Sequence, residues 1–208
     1  SGASLVLAPR FDVDVVLKAL PTCTVMMGVP TFYTRLLADD RFGVSTCSNA
    51  RLIISGSAPL LASTHVEFEQ RTGHVILERY GMTETVVLTS NPVNGIRKAG
   101  TVGRPIPGVE LRLGEGDAVE VRGANVFSGY LDRPHATEAA FTADGWFRTG
   151  DVGSLDEDGY LSLVGRTSEL IISGGFNVYP TEVEDVLKSH PDVLEVGVAA
   201  IPHPEKQG

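Results

Sequence analysis

Five short clusters of acidic, hydroxyl, glycine and aromatic residues follow one another along this chain of 208 residues. They are Ser55-Gly56-Ser57-Ala58-Pro59, Tyr80-Gly81-Met82-Thr83-Glu84, Trp146-Phe147-Arg148-Thr149-Gly150-Asp151, Gly165-Arg166, and the run from Ser173 through Gly174, Gly175, Phe176, Asn177, Val178 and Tyr179 to Pro180. Each has a chemical reading and a plainer structural one. Glu84 offers a hard oxygen of the kind magnesium prefers, and Thr83 a hydroxyl for a phosphate or carboxylate oxygen. Equally, Tyr80-Gly81 could end a strand in a turn and leave Glu84 solvated. Gly56 lets backbone approach a ring closely, or only loosens a strand-to-helix loop. Asp151 can accept hydrogen bonds from paired hydroxyls, or cap a turn after Gly150. Arg166 complements an anion, or makes a surface ion pair. Trp146 and Phe147 read as core.

Elements must hold these clusters in place. Apolar residues at 13, 15, 16, 17 and 20 have helical spacing over residues 12–20. Residues 25–29 form a short apolar run, and Pro30 suits the first turn of a helix over 31–38. Strands are expected at 51–54 and 75–79, with a helix at 60–71 between them. Alternation of this kind implies a mostly parallel sheet covered by helices. From residue 95 glycine and proline recur between short β-rich pieces at 109–113, 118–122, 146–148, 152–155 and 160–164. That texture predicts a small distorted β-barrel or antiparallel sheet. Asp156-Glu157-Asp158-Gly159 is spaced as a hairpin turn and lacks the later ligands of a calcium loop. Beyond Arg166, a strand is expected at 170–172, a helix capped by Thr181 with Glu182 and Glu184 in its first turn, and a strand at 193–201.

Composition narrows the functions open to the chain. The net charge of −9, with no basic cluster, argues against a nucleic-acid partner. No apolar run is long enough to span a bilayer, and no charged segment with an apolar core opens the sequence. Cys23 and Cys47 lack CxxC spacing, so reduced thiols in a cytoplasmic protein are expected. The five histidines have no ligand spacing, which disfavours structural zinc. There are no internal repeats.

Taken in order, the five clusters resemble those of the adenylate-forming enzymes: acyl-CoA synthetases, luciferases and the adenylation domains of peptide synthetases. The resemblance implies an α/β fold in which a helix-covered, mostly parallel sheet joins a distorted β-barrel and then a small α+β domain. Residues 1–166 would be the C-terminal portion of the large domain (1–94 its α/β part, 95–166 its barrel part), and 167–208 the beginning of the small mobile domain. The family's phosphate-binding loop would precede Ser1 and its adenylating lysine would follow Gly208, so the chain reads as an internal piece of a longer enzyme. Between residues 113 and 121 relatives have a longer loop than Gly114-Glu115-Gly116-Asp117-Ala118.

The resemblance also implies roles. Gly56, Ser57 and Ala58 form the adenine pocket, Tyr80 lies against the ring, and Gly81, Met82 and Thr83 continue the nucleotide site. Asp151 and Arg166 serve the ribose and phosphate. Thr83 and Glu84 are the catalytic pair, with Glu84 holding Mg2+. Ser168 is the pivot of the small domain, and Ser173, Gly174 and Gly175 face the pantetheine of coenzyme A. ATP, Mg2+ and CoA are the expected cofactors, and a small carboxylic acid the substrate. The segments 78–85, 89–92, 123–127 and 175–180 look most like malonyl-CoA synthetases. A dicarboxylate needs a cation for its second carboxylate, and arginine's planar fork suits it. Arg35 and Arg79 are the candidates, against the alternatives that Arg35 faces solvent and Arg79 pairs with Glu78 or another acid. The activity implied is an ATP-dependent acid–thiol ligase making malonyl- or methylmalonyl-CoA. The alternatives are an adenylation domain loading a carrier protein, and a nucleotide-binding fragment without turnover of its own.

Overall fold

The computed structural model describes residues 2–173, 176–188, 190, 192–193 and 195–201. Their contacts divide them into two compact units, one of residues 1–82 with 89–104, the other of residues 83–88 with 105–208.

The first unit is built on a sheet that begins with parallel strands. Helix α1 (Val13–Ala19) opens on Asp12, whose carboxylate accepts from the Val15 amide at 3.2 Å. Next come β1 (Val25–Gly28), α2 (Pro30–Leu37), β2 (Leu52–Ser55), α3 (Ala62–Thr72), β3 (Leu77–Tyr80), β4 (Thr89–Ser90) and β5 (Arg104–Pro105). The sheet order is β1-β2-β3-β4-β5, with β1, β2 and β3 parallel and β4 antiparallel to β3. Pro30 is the first residue of α2, where its missing N–H costs nothing. The apolar faces of α2 and α3 meet β2 in a core around Tyr33, Leu36, Ile53 and Phe68. The Tyr33 hydroxyl donates to the Ile54 carbonyl, tying α2 to the sheet.

The second unit holds an antiparallel meander. It comprises β6 (Val109–Leu113), β7 (Ala118–Gly123), α4 (Pro134–Ala140), β8 (Phe147–Leu155) and β9 (Leu161–Arg166), in sheet order β6-β7-β8-β9. The pieces expected at 146–148 and 152–155 are one strand, bulged between Val152 and Gly153. Bulges raise the local twist, and a second one lies between Ala118 and Glu120. The short β6–β7 connection closes as it stands, with the Gly114 amide donating to the Ala118 carbonyl at 2.8 Å. At the β8–β9 turn the Asp156 carboxylate accepts from the Asp158 and Tyr160 amides, each at 2.9 Å, as its spacing predicts.

Beyond β9 come a 3-10 turn (Thr167–Glu169), β10 (Ile171–Ser173), β11 (Phe176–Val178) antiparallel to it, and α5 (Pro180–Lys188). Two expectations are corrected here. Thr181 is no cap: α5 begins at Pro180, whose fixed φ suits the first helical position, so Thr181 sits inside the first turn. The strand expected at 193–201 does not form among the described residues. An apolar run needs a ladder partner to become a strand, and there the Val198 amide donates instead to the Glu184 carboxylate at 2.9 Å.

Candidate functional site

In the first unit β2 ends at Ser55 and β3 at Tyr80, and parallel pairing sets Ser55 opposite Glu78. The Ser55-Gly56-Ser57-Ala58 segment therefore leaves the sheet beside Arg79. Gly56 is buried; a β-carbon added there would stand 3.4 Å from the Arg79 carbonyl and 3.6 Å from its Cγ, ordinary contact distances. Ser57 and Ala58 are exposed, and Ser57 has φ +71, a left-handed conformation that non-glycine residues rarely adopt. Tyr80, Gly81 and Met82 follow, all half-buried.

Glu78 and Arg79 do not pair. Successive residues of a strand face opposite sides, and the two side chains part accordingly. Glu78 is 5% exposed, and burial pushes its carboxyl up from 4.5 to about 7 against the lowering effect of a hydrogen bond from the Leu60 amide. Its Oε1 and the Ser55 Oγ have no hydrogen-bond partner among the described residues. Arg79 is half-buried, and its guanidinium has no ion-pair partner among the described residues. Arg35 is exposed, its guanidinium 4.7 Å above the ring of Phe11, which itself stacks on Phe32. That agrees with the solvent-facing alternative for Arg35. Leu77 and Glu78 are both buried and Arg79 and Tyr80 both half-buried, so no alternation of residue type along 77–80 marked Glu78 as buried.

In the second unit, antiparallel pairing of β8 with β9 sets Asp151 opposite Arg166, and Arg166 Nε lies 3.2 Å from Asp151 Oδ1. The carboxylate side chain is 8% exposed and the guanidinium 58% exposed, so a buried acid is held under an accessible cation. Ser168, in the 3-10 turn after β9, is exposed, as is Ser173 at the end of β10. Gly174 and Gly175 lie outside the described residues.

Thr83 and Glu84 also belong to this unit. Thr83 is exposed; Glu84 is half-buried and its carboxylate accepts from the Tyr130 hydroxyl at 3.2 Å. The Phe127 amide donates to the Glu84 carbonyl at 2.8 Å, and Asn125 Nδ2 donates to the Thr85 and Val87 carbonyls at 2.7 and 3.0 Å. Sequence reasoning missed Asn125 and Tyr130 as partners of this loop. These contacts span 38 to 46 residues, and no local pattern marks a contact at that range. Among the described residues no three His, Cys, Asp or Glu side chains converge to hold a metal ion. A lone carboxylate still fits magnesium, which keeps its waters and takes one or two carboxylates alongside substrate phosphates.

The profile of the AMP-binding enzyme family matches residues 1–131. The chain belongs to that family. Among its relatives is a malonate–CoA ligase of Arabidopsis thaliana, 42% identical over 200 residues that cover 88% of this chain and 33% of that one. A crystal structure of ATP-bound MatB from Rhodopseudomonas palustris superposes with a TM-score of 0.91 at 48% identity, covering 96% of this chain and 42% of the other. A malonyl-CoA ligase ternary product complex with methylmalonyl-CoA and AMP bound superposes with a TM-score of 0.71 at 43% identity, covering 95% and 46%. The α/β fold of this AMP-binding family member is thus that of the adenylate-forming enzymes. The chain spans less than half the length of these relatives.

Proposed function

We propose that the protein containing this chain is an ATP-dependent acid–thiol ligase that activates malonate or a methyl-substituted malonate as its acyl-adenylate and transfers the acyl group to coenzyme A. The observation that carries the choice of acid is Arg79, a half-buried guanidinium with no carboxylate partner among the described residues, packed against Gly56. A cation partly withdrawn from water without a counter-ion carries a cost, and the second carboxylate of a dicarboxylic acid would relieve it through a bidentate contact. Arg35 is a secondary candidate for the same role. The malonate–CoA ligase relatives support the reading.

Adenylation brings a carboxylate against the α-phosphate of ATP, so the two anions need donors and cations around them. In our reading Gly56, Ser57, Ala58, Tyr80, Gly81 and Met82 receive the adenine end, and Thr83 offers its hydroxyl to a phosphate or carboxylate oxygen. Asp151, one oxygen engaged by Arg166, accepts from the ribose hydroxyls, while Arg166 faces ribose or phosphate. Glu84 would hold Mg2+, which neutralises developing phosphate charge when bound. Ser168 is the pivot about which residues 167–208, the start of a small mobile domain, reorient before thioester formation. Ser173, Gly174 and Gly175 meet the pantetheine arm. We place the enzyme in the cytoplasm; no helix of the described residues is long and apolar enough to cross a membrane.

The test is acid-dependent ATP–pyrophosphate exchange in the intact enzyme, compared across malonate, acetate, butyrate and octanoate. Malonate should give the highest kcat/KM. Octanoate turning over better than malonate would rule out the dicarboxylate reading and leave adenylate formation standing.

A further inference from the structure

The loop that carries Glu84 is gripped at four points by one short segment. Within residues 125–130, the Phe127 amide and the Tyr130 hydroxyl take the backbone and the carboxylate of Glu84 itself. Asn125 takes the carbonyls on either side of Val86. Val86 has φ +59, a left-handed conformation that a β-branched side chain adopts only under strain. Its side chain cannot supply the restraint, since Val86 is 71% exposed. Strain of this kind persists where the surroundings over-determine the backbone, and the amide of Asn125 is what does so here.

The gripping segment is itself anchored. The Tyr130 ring meets Phe127 edge to face at 4.7 Å, and Phe127 meets Phe147, a residue of the core, at 5.3 Å. The Tyr130 amide donates to the Thr137 hydroxyl on α4 at 2.9 Å. The phenol thus reaches Glu84 from a fixed ring. Its hydrogen bond occupies Oε1 and limits rotation of the carboxylate, while Oε2 has no hydrogen-bond partner among the described residues.

We propose that Tyr130 is a positioning residue: it holds the Glu84 carboxylate in the orientation that receives a divalent metal carried by ATP, over a loop backbone fixed by Asn125. This rests on the metal-binding role proposed for Glu84, and the test separates the two. ATP affinity of the intact enzyme is measured calorimetrically without acid, once with Mg2+ and once with EDTA, and their ratio gives the metal-dependent gain. Tyr130→Phe keeps the ring and removes only the hydroxyl. A hydrogen bond to a charged group is strong enough that the gain should shrink about tenfold. Affinity in EDTA and the melting midpoint should stay as in wild type. Glu84→Gln should remove most of the gain. If Glu84→Gln loses it and Tyr130→Phe retains it, the Tyr130 inference fails alone. Equal weakening of Tyr130→Phe with and without metal would also overturn it, as a merely structural effect. A full gain in Glu84→Gln would overturn both readings.

Discussion

Glu78 and Arg79 are neighbours in the chain with opposite surroundings, and both lead to measurable consequences. Glu78 binds its proton more tightly when folded, because burial raises its carboxyl from 4.5 to about 7. Above about 7 both folded and unfolded states are ionised, and the group gives no differential. As pH falls from 7 toward 4.5 the folded state takes up the proton first, so stability rises and then levels off. The full span is on the order of 3 kcal/mol at most. Glu78→Gln should flatten this part of the profile, which paired denaturant titrations at pH 5 and pH 8 would reveal. Equal slopes in wild type and variant would refute the assignment. Arg79→Met keeps bulk and removes charge. A charge-assisted bond to a carboxylate contributes on the order of 1.5–3 kcal/mol, so malonate kcat/KM should fall roughly ten- to hundredfold, and acetate much less. At this scale the sequence identified Arg79, Asp151 and Glu84 as candidates and left an Arg79–Glu78 pair open as an alternative, because residue type alone does not say which way a strand side chain points.

Between elements, the segment Thr89-Ser90-Asn91-Pro92, which looks like a mark of substrate class, has structural work in the first unit. Asn91 is buried; its amide N–H donates to the Glu78 carbonyl at 2.9 Å and its Nδ2 to the Thr101 carbonyl at 2.9 Å. The Lys98 amide donates to its Oδ1 at 3.0 Å. This network packs the 101–103 backbone onto β4, and Gly103 is where the two backbone segments meet. It has φ +82, and a β-carbon there would fall 1.9 Å from the Ser90 carbonyl carbon. Gly103→Ala should therefore cost roughly 3–5 kcal/mol through overlap and backbone strain together, read as a loss of denaturation midpoint. Gly56→Ala, by contrast, meets only ordinary contacts and should leave stability nearly unchanged. A Gly103→Ala variant as stable as wild type would contradict this packing. Helices and parallel strands were legible because hydrophobic spacing reports them directly, as in residues 12–20. Short strands such as β4 and β5 were not, since two residues carry no period. The strand expected at 193–201 was misjudged because composition records apolar character but not whether a partner edge is at hand.

For the molecule as a whole, the order of the five clusters identified the family and the fold, while the motion expected of the enzyme depends on residues with little chemistry of their own. Ser168 stands exposed in a 3-10 turn directly after β9, the last strand of the meander. A pivot works by changing φ and ψ at a few positions, so fixing φ there should separate the two half-reactions rather than abolish both. Proline locks φ near the value a 3-10 turn already uses, so Ser168→Pro should fold normally. In the intact enzyme it should support acid-dependent ATP–pyrophosphate exchange near the wild-type rate and accumulate acyl-adenylate. Thioester formation should fall by at least about tenfold, corresponding to roughly 1.4 kcal/mol on the second step alone. Single-turnover quench experiments that resolve adenylate from thioester would measure the split. Equal loss of both steps in a protein with an unchanged melting midpoint would mean that the chain does not turn at Ser168, and the pivot would have to be sought elsewhere between β9 and β10.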